Sequence, residues 1–118
     1  MRIQDLTESN DPSQQDLHDV ADWLSTTADK VHIDIRQEPI QKFEKQIKEM
    51  YSTFDEFSED EKRTNRIVKL IKGGAPALPI YVDANDPELF VMEGRHRMVA
   101  FWLLGMKTIP VGYASKEL

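Results

Sequence analysis

A run of charges carrying one glycine, Glu93-Gly94-Arg95-His96-Arg97, stands between two apolar segments, Leu89 to Met92 and Met98 to Leu104. This arrangement restricts the possible folds more than any other stretch of the chain. The short apolar run reads as a strand, and the longer one, stopping at Gly105, reads as a helix ended by a glycine. The charged residues are then a tight turn that opens the helix. N–H groups at a helix start lack intrahelical partners and lie at the positive end of the helix dipole, so an anion placed there meets waiting donors. Gly94 lets the backbone come close, and Arg95, His96 and Arg97 add side-chain donors. Cations at such an end oppose the dipole by roughly 0.3 kcal/mol or more each, unless an anion or an acid such as Glu93 offsets them. The same residues also fit a solvated helix start with His96 packed under the sheet.

The rest of the chain reads as regular elements. Residues 1 to 12 are polar and acidic and end in Asn10-Asp11-Pro12, which predicts a loosely held arm ahead of a single domain over residues 13 to 118. Ser13 with Asp16 resembles a capping box, and Leu17, Val20, Ala21 and Leu24 share one helical face, giving a helix to about Thr26 with Trp23 at the edge of its apolar stripe. Val31, Ile33 and Ile35 alternate with polar residues, as in a half-buried strand that stops near Glu38-Pro39. From Pro39 to Phe54, apolar residues recur at three- and four-residue steps, which predicts one long amphipathic helix. Ser58 and Glu61 predict the cap of a further helix that runs through Ile67 to Ile71 and ends at Gly73-Gly74. Leu78 to Val82 and Leu89 to Met92, joined by Asp83-Ala84-Asn85-Asp86-Pro87, read as a hairpin, and Ile109 to Tyr113 reads as a last strand. The expected class is α+β, a small mixed sheet of about four strands packed with helices.

Composition removes several functions. The chain has no cysteine, so thiol catalysis, disulfides and thiolate metal sites are excluded. No apolar stretch approaches the length of a membrane span, and Met1 to Asp11 holds no signal-peptide apolar region, so no membrane association and a cytoplasmic location are expected. With a net charge of −6, the domain as a whole repels nucleic acid. Lys62, Arg63 and Arg66 are the one basic cluster on a predicted helix, and they read as a solvated face. His18 and His32 lack metal-ligand spacing.

Four elements stand in a telling order: Pro79-Ile80-Tyr81-Val82, then Gly94-Arg95-His96-Arg97-Met98-Val99-Ala100, then Gly105, then Ile109-Pro110-Val111. Together they resemble the ParB/sulfiredoxin superfamily. Its core runs from a strand of Pro-Ile-x-Val type through a turn and strand to Gly-x-(His/Arg)-Arg-x-x-x-Ala, a helix ending in glycine, and a strand of Ile-Pro-Val type. The likeness covers about the last half of the chain. In that family the glycine turn holds the phosphates of a nucleotide: ATP in sulfiredoxins, CTP in partition proteins, and a nucleotide phosphodonor in free-serine kinases.

The resemblance therefore implies ATP or CTP with Mg²⁺ as the ligand, and hydrolysis or phosphate transfer to a small acceptor as the activity. Gly94 would give close backbone approach, His96 and Arg97 would contact phosphate oxygens, and Arg95 would lie at the rim. An acid beside a triphosphate is repulsive unless Mg²⁺ or a ribose hydroxyl intervenes, which makes Glu93 a candidate for either partner and for catalysis. Pairing of Glu93 with Arg95 or Arg97 is the plain alternative. Glu38 stands where a kinase of this fold would keep a general base, although a helix-start glutamate is also a common structural feature. Arg95 occupies the position of the sulfiredoxin cysteine, so sulfinic acid reduction is excluded. The helix-turn-helix and second arginine-bearing box of partition proteins find no counterpart, so direct DNA binding is not expected. Two other readings compete: an acidic interaction module that engages a basic protein partner, and a nuclease, against which the acidity and the lack of a carboxylate or histidine cluster both count.

Overall fold

In the computed structural model of the chain, residues 12–56 and 58–117 are described. The arm expected over residues 1 to 12 falls, apart from Pro12, outside them. Helix α1, Gln14–Trp23, begins where the Ser13 hydroxyl accepts from the Asp16 N–H at 3.1 Å. It stops at Trp23, short of Thr26, because Ser25 takes a left-handed φ of 57°. Strand β1, Val31–Pro39, follows. The single helix expected from Pro39 to Phe54 is instead a 3-10 turn, Ile40–Phe43, followed by helix α2, Glu44–Tyr51. The break lies at Phe43, whose ψ of 4° is not helical. Apolar residues three apart line one side of either helix type, so the spacing ran through the break unaltered.

Helix α3, Glu59–Lys72, starts at Ser58, whose hydroxyl accepts from the Glu61 N–H at 3.2 Å. Strands β2, Ile80–Asp83, and β3, Val91–Glu93, form the expected antiparallel pair. β3 begins later than Leu89 because Leu89 has a φ of 51° and belongs to the turn, where the Asp86 carboxylate accepts from the N–H groups of Glu88 and Phe90. Helix α4, Arg95–Leu103, then leads to strand β4, Thr108–Lys116. The sheet order is β1-β4-β2-β3, with β4 antiparallel to β1 and parallel to β2. The result is the mixed four-stranded α+β sheet that the sequence predicts.

Period-two alternation sorts the strand residues between two faces. Ile80, Val82, Val91, Ile109 and Val111 point to one face and form the main core with Phe43 and Ile47 of the α2 side and Met98, Val99 and Phe101 of α4. Tyr81, Met92 and Ala114 point to the other face and pack against Val20 of α1. Helices thus cover both faces of the sheet. Tyr81 lies opposite Gly112 in the β2–β4 pair, and a Cβ on Gly112 would stand 2.7 Å from the Tyr81 ring. The bare backbone there lets the Tyr81 ring pass over Gly112 and its hydroxyl reach Asp16 of α1. No helix among the described residues is long and apolar enough to cross a membrane.

Candidate functional site

The charged run is held in place from three sides. β3 is a short edge strand, and Gln46 of α2 fixes it: its side-chain oxygen accepts from the Val91 N–H at 2.9 Å and its nitrogen donates to the Leu89 carbonyl at 2.9 Å. Gly94 follows with a φ of 90°, the left-handed region that favours glycine, and a Cβ there would lie 3.1 Å from Ile80 Cα. α4 can therefore start directly against the backbone of β2. No side chain caps this helix, so the N–H groups of its first turn lack the acceptor that Ser13 and Ser58 give to α1 and α3.

Glu93, Gly94, His96 and Arg97 line one cleft of ≈ 370 Å³, a volume within the range of small-ligand sites. Asp16 and Asp19 of α1 form one wall, and Arg63 and Arg66 of α3 form another. Arg63 and Arg66 are thus more than a solvated helix face. They are exposed, but they face the glycine turn across the cleft, and neither has a hydrogen-bond or ion-pair partner among the described residues. The spacing of Lys62, Arg63 and Arg66 along α3 carries no trace of that convergence, which depends on how α3 packs on α4.

Arg97 has a different environment from the one the turn suggested. Its Nη1 and Nη2 donate to the Asp16 Oδ2 and Oδ1 at 2.9 and 3.0 Å, a bidentate pair, and Nη1 also donates to the Pro79 carbonyl at 2.9 Å. The Tyr81 hydroxyl donates to the same Asp16 oxygen at 2.9 Å. Asp16 is only 4% exposed, so its charge is kept off water by three donors on two elements. Burial, and then the Asp16 carboxylate, push the Tyr81 phenol well above its ordinary value, which keeps it a donor. This network ties α1 to the start of α4. Arg97 therefore orders the cleft floor as well as facing it.

His96 Nε2 lies 2.8 Å from Asp60 Oδ1, joining the starts of α4 and α3. Glu93 is held above its ordinary range by burial first and by the carboxylates of Asp19 and Asp16 next, while Arg97 and His96 pull it back. It makes no ion pair with Arg95 or Arg97. Arg95 is exposed and lies over the Phe90 ring, 5.5 Å from its centre, outside the cleft lining.

Comparison with protein families, with curated proteins and with solved structures finds no match to this chain.

Glu38 is not part of this arrangement. It sits on β1, at the opposite edge of the sheet from β3, with β4 and β2 between. Strand spacing alone then puts it roughly 14 Å or more from Glu93. There it accepts from the Tyr113 hydroxyl and pairs with Lys42 at 3.0 Å. It has no route to a ligand at the glycine turn, so a general-base role there finds no support in the geometry. The Tyr113 hydroxyl, and then Lys42, hold its carboxyl below the ordinary value of 4.5. A carboxyl lowered on folding adds stability that is present above its unfolded value and disappears as pH falls through the folded one. Glu38→Gln is therefore expected to narrow its stability gap to the parent protein on going from neutral pH to below 4.5. Urea midpoints at neutral and acid pH check this, and a gap independent of pH would refute it.

Proposed function

We propose that the cleft binds the phosphate groups of a nucleotide, ATP or CTP, and that the domain has the ParB/sulfiredoxin fold its motifs resemble. The carrying observation is that two arginines of α3 meet the uncapped glycine start of α4 in one cleft. Gly94 gives close backbone approach, Arg63 and Arg66 supply charged donors to phosphate oxygens, and His96 adds a ring nitrogen. Arg97 is already held by Asp16, so its part is to fix the turn and to contribute positive potential.

Mg²⁺ is commonly held by one or two carboxylates plus the phosphates themselves. Glu93 and Asp19 line the same cleft and suit that mode, whereas no group of three or more His, Asp or Glu side chains able to hold a metal exists among the described residues. The fit is to a metal that arrives with its phosphates. Such an ion, held on the Asp19 side of the cleft, would neutralise phosphate charge and leave the Glu93 carboxylate to take a proton from a water or a hydroxyl acceptor. Hydrolysis or phosphate transfer is the reaction this supports.

The test is a thermal titration with ATP, CTP and GTP in the presence of Mg²⁺. A ligand at about a hundred times its dissociation constant stabilises by about 2.7 kcal/mol, a shift on the order of 10 °C for a domain this small. One nucleotide is expected to give that shift in the parent protein and to lose it in the Arg63→Ala, Arg66→Ala double variant. No shift with any nucleotide, or a shift that survives in the double variant, refutes the reading.

A further inference from the structure

The most exposed aromatic side chain near the cleft is not used by the nucleotide reading. Trp23 closes α1 with 54% of its surface exposed, while Val20 and Ala21 of the same helix are buried. Phe90, 43% exposed, stands edge-on to it with ring centres 6.5 Å apart. Two large adjoining rings facing water cost hydration free energy that neither the core nor the nucleotide reading explains, and such patches commonly mark interaction sites.

What surrounds the rings determines what suits them. Trp23 stands between two hollows, of ≈ 390 and ≈ 410 Å³. Among the described residues the first is lined otherwise by the carboxylate residues Asp19, Asp22 and Glu93, and the second includes Asp83 as well as Lys116. None of Asp19, Asp22 and Glu93 pairs with a cation among the described residues, and Asp19 accepts only from the neutral Gln15 amide at 3.0 Å. An indole face bordered by unpaired carboxylates attracts a cation twice over, through the ring quadrupole and through charge. The protein already shows the ring half of this: Arg95 lies over Phe90. An apolar partner would gain the rings but would leave those carboxylates desolvated and unpaired, and a nucleic acid would be repelled.

We propose that the Trp23–Phe90 ridge is a docking surface for an arginine- or lysine-bearing segment of a partner protein, with one cation seated over the Trp23 indole in the hollow lined by Asp19 and Asp22. Such a segment would lie beside the cleft and not within its basic wall. Asp19 and Glu93 also border the cleft, so the acidic lining of this surface is complete when no Mg²⁺ is held there, and its binding needs no nucleotide.

The probe is a short acetylated and amidated peptide of alternating glycine and arginine. Titration calorimetry at low salt measures affinity, and the Trp23 indole N–H resonance reports the place. Binding that moves this resonance and weakens as salt rises is expected. Trp23→Ala should weaken binding about tenfold, as for a central tryptophan of an interface, and Asp22→Asn about fivefold. Both positions are exposed or peripheral to the core, and far-UV circular dichroism with a thermal melt confirms that the variants fold. The same peptide carrying citrulline for arginine keeps the shape and removes the charge, and it should not bind. Equal affinity of the Trp23→Ala variant would mean diffuse charge attraction and would overturn the proposal. So would citrulline or leucine peptides binding as well as arginine, which would make the ridge an apolar docking face, or no arginine binding at low salt. A nucleotide-induced thermal shift that persists in Trp23→Ala and Asp22→Asn keeps this outcome separate from the fate of the phosphate site.

Discussion

Replacing Arg97 by alanine is expected to lower stability by about 3 kcal/mol, because removing one partner of a buried ion pair leaves the other charge uncompensated. The charge left behind is Asp16, 4% exposed, which would keep only the Tyr81 hydroxyl and its own helix start for company. The Pro79 carbonyl loses its donor as well. Urea denaturation measures the loss. Asp16→Leu combined with Arg97→Met should recover much of it, since no unpaired charge then remains and apolar groups of similar volume take the space. A loss below about 1 kcal/mol for Arg97→Ala, or a double variant as unstable as the two single ones added together, would contradict the network. The Asp16–Arg97 pair also determines which variants can test ligand binding. Arg97→Ala would loosen α1 from the cleft and lose a ligand for structural reasons, whereas Arg63 and Arg66 pair with no other side chain among the described residues.

Gly94→Ala should cost a similar amount, about 3 kcal/mol, from left-handed strain and a backbone clash together. Its Cβ would stand 3.1 Å from Ile80 Cα and 3.2 Å from Ile80 Cγ2, and β2 is too deeply buried to retreat. Gly74→Ala is the comparison: with φ at 102° and no atom within 4 Å of its Cβ, it carries strain alone. It should lose only about 1 kcal/mol. The difference between the two, read from denaturation midpoints, isolates the contact of the turn with β2. Equal losses would mean that α4 can start without touching that strand.

What the sequence shows of this molecule depends on how far apart the interacting residues lie. Ser13 and Ser58 announce their helices because each cap bonds to an N–H three residues on. Gly94 and the strand before it are legible for the same reason: chain direction and charge change within a few residues. β1 ends near Glu38-Pro39 as expected, because the proline marks that end locally, whereas β4 runs past Tyr113 because Ala114 to Lys116 pair with Val31 to Ile33, and nothing near Ala114 signals that ladder. Asp16 looked like part of a capping box, yet its side chain serves Arg97 and Tyr81, 81 and 65 residues away. Arg63 and Arg66 looked solvated because a helix with an exposed basic face has the same spacing whether or not a cleft opens beneath it. The candidate site was thus half visible: the turn was local, and the wall opposite it was tertiary.

The β1–β4 ladder has a consequence for the order of events during synthesis. Its nine residue pairs join Val31–Pro39 to Thr108–Lys116, so the first strand made cannot find its neighbour until the last has emerged. Among the described residues β4 is also the one neighbour of β1 in the sheet, and it is the parallel partner of β2. A growing chain that has reached α4 holds a hairpin and several helices but no sheet to close over them. Contacts of such long sequence span slow folding and expose apolar strand surface meanwhile. Cooperative structure should therefore arrive late and all at once, when residues up to Lys116 are free of the ribosome.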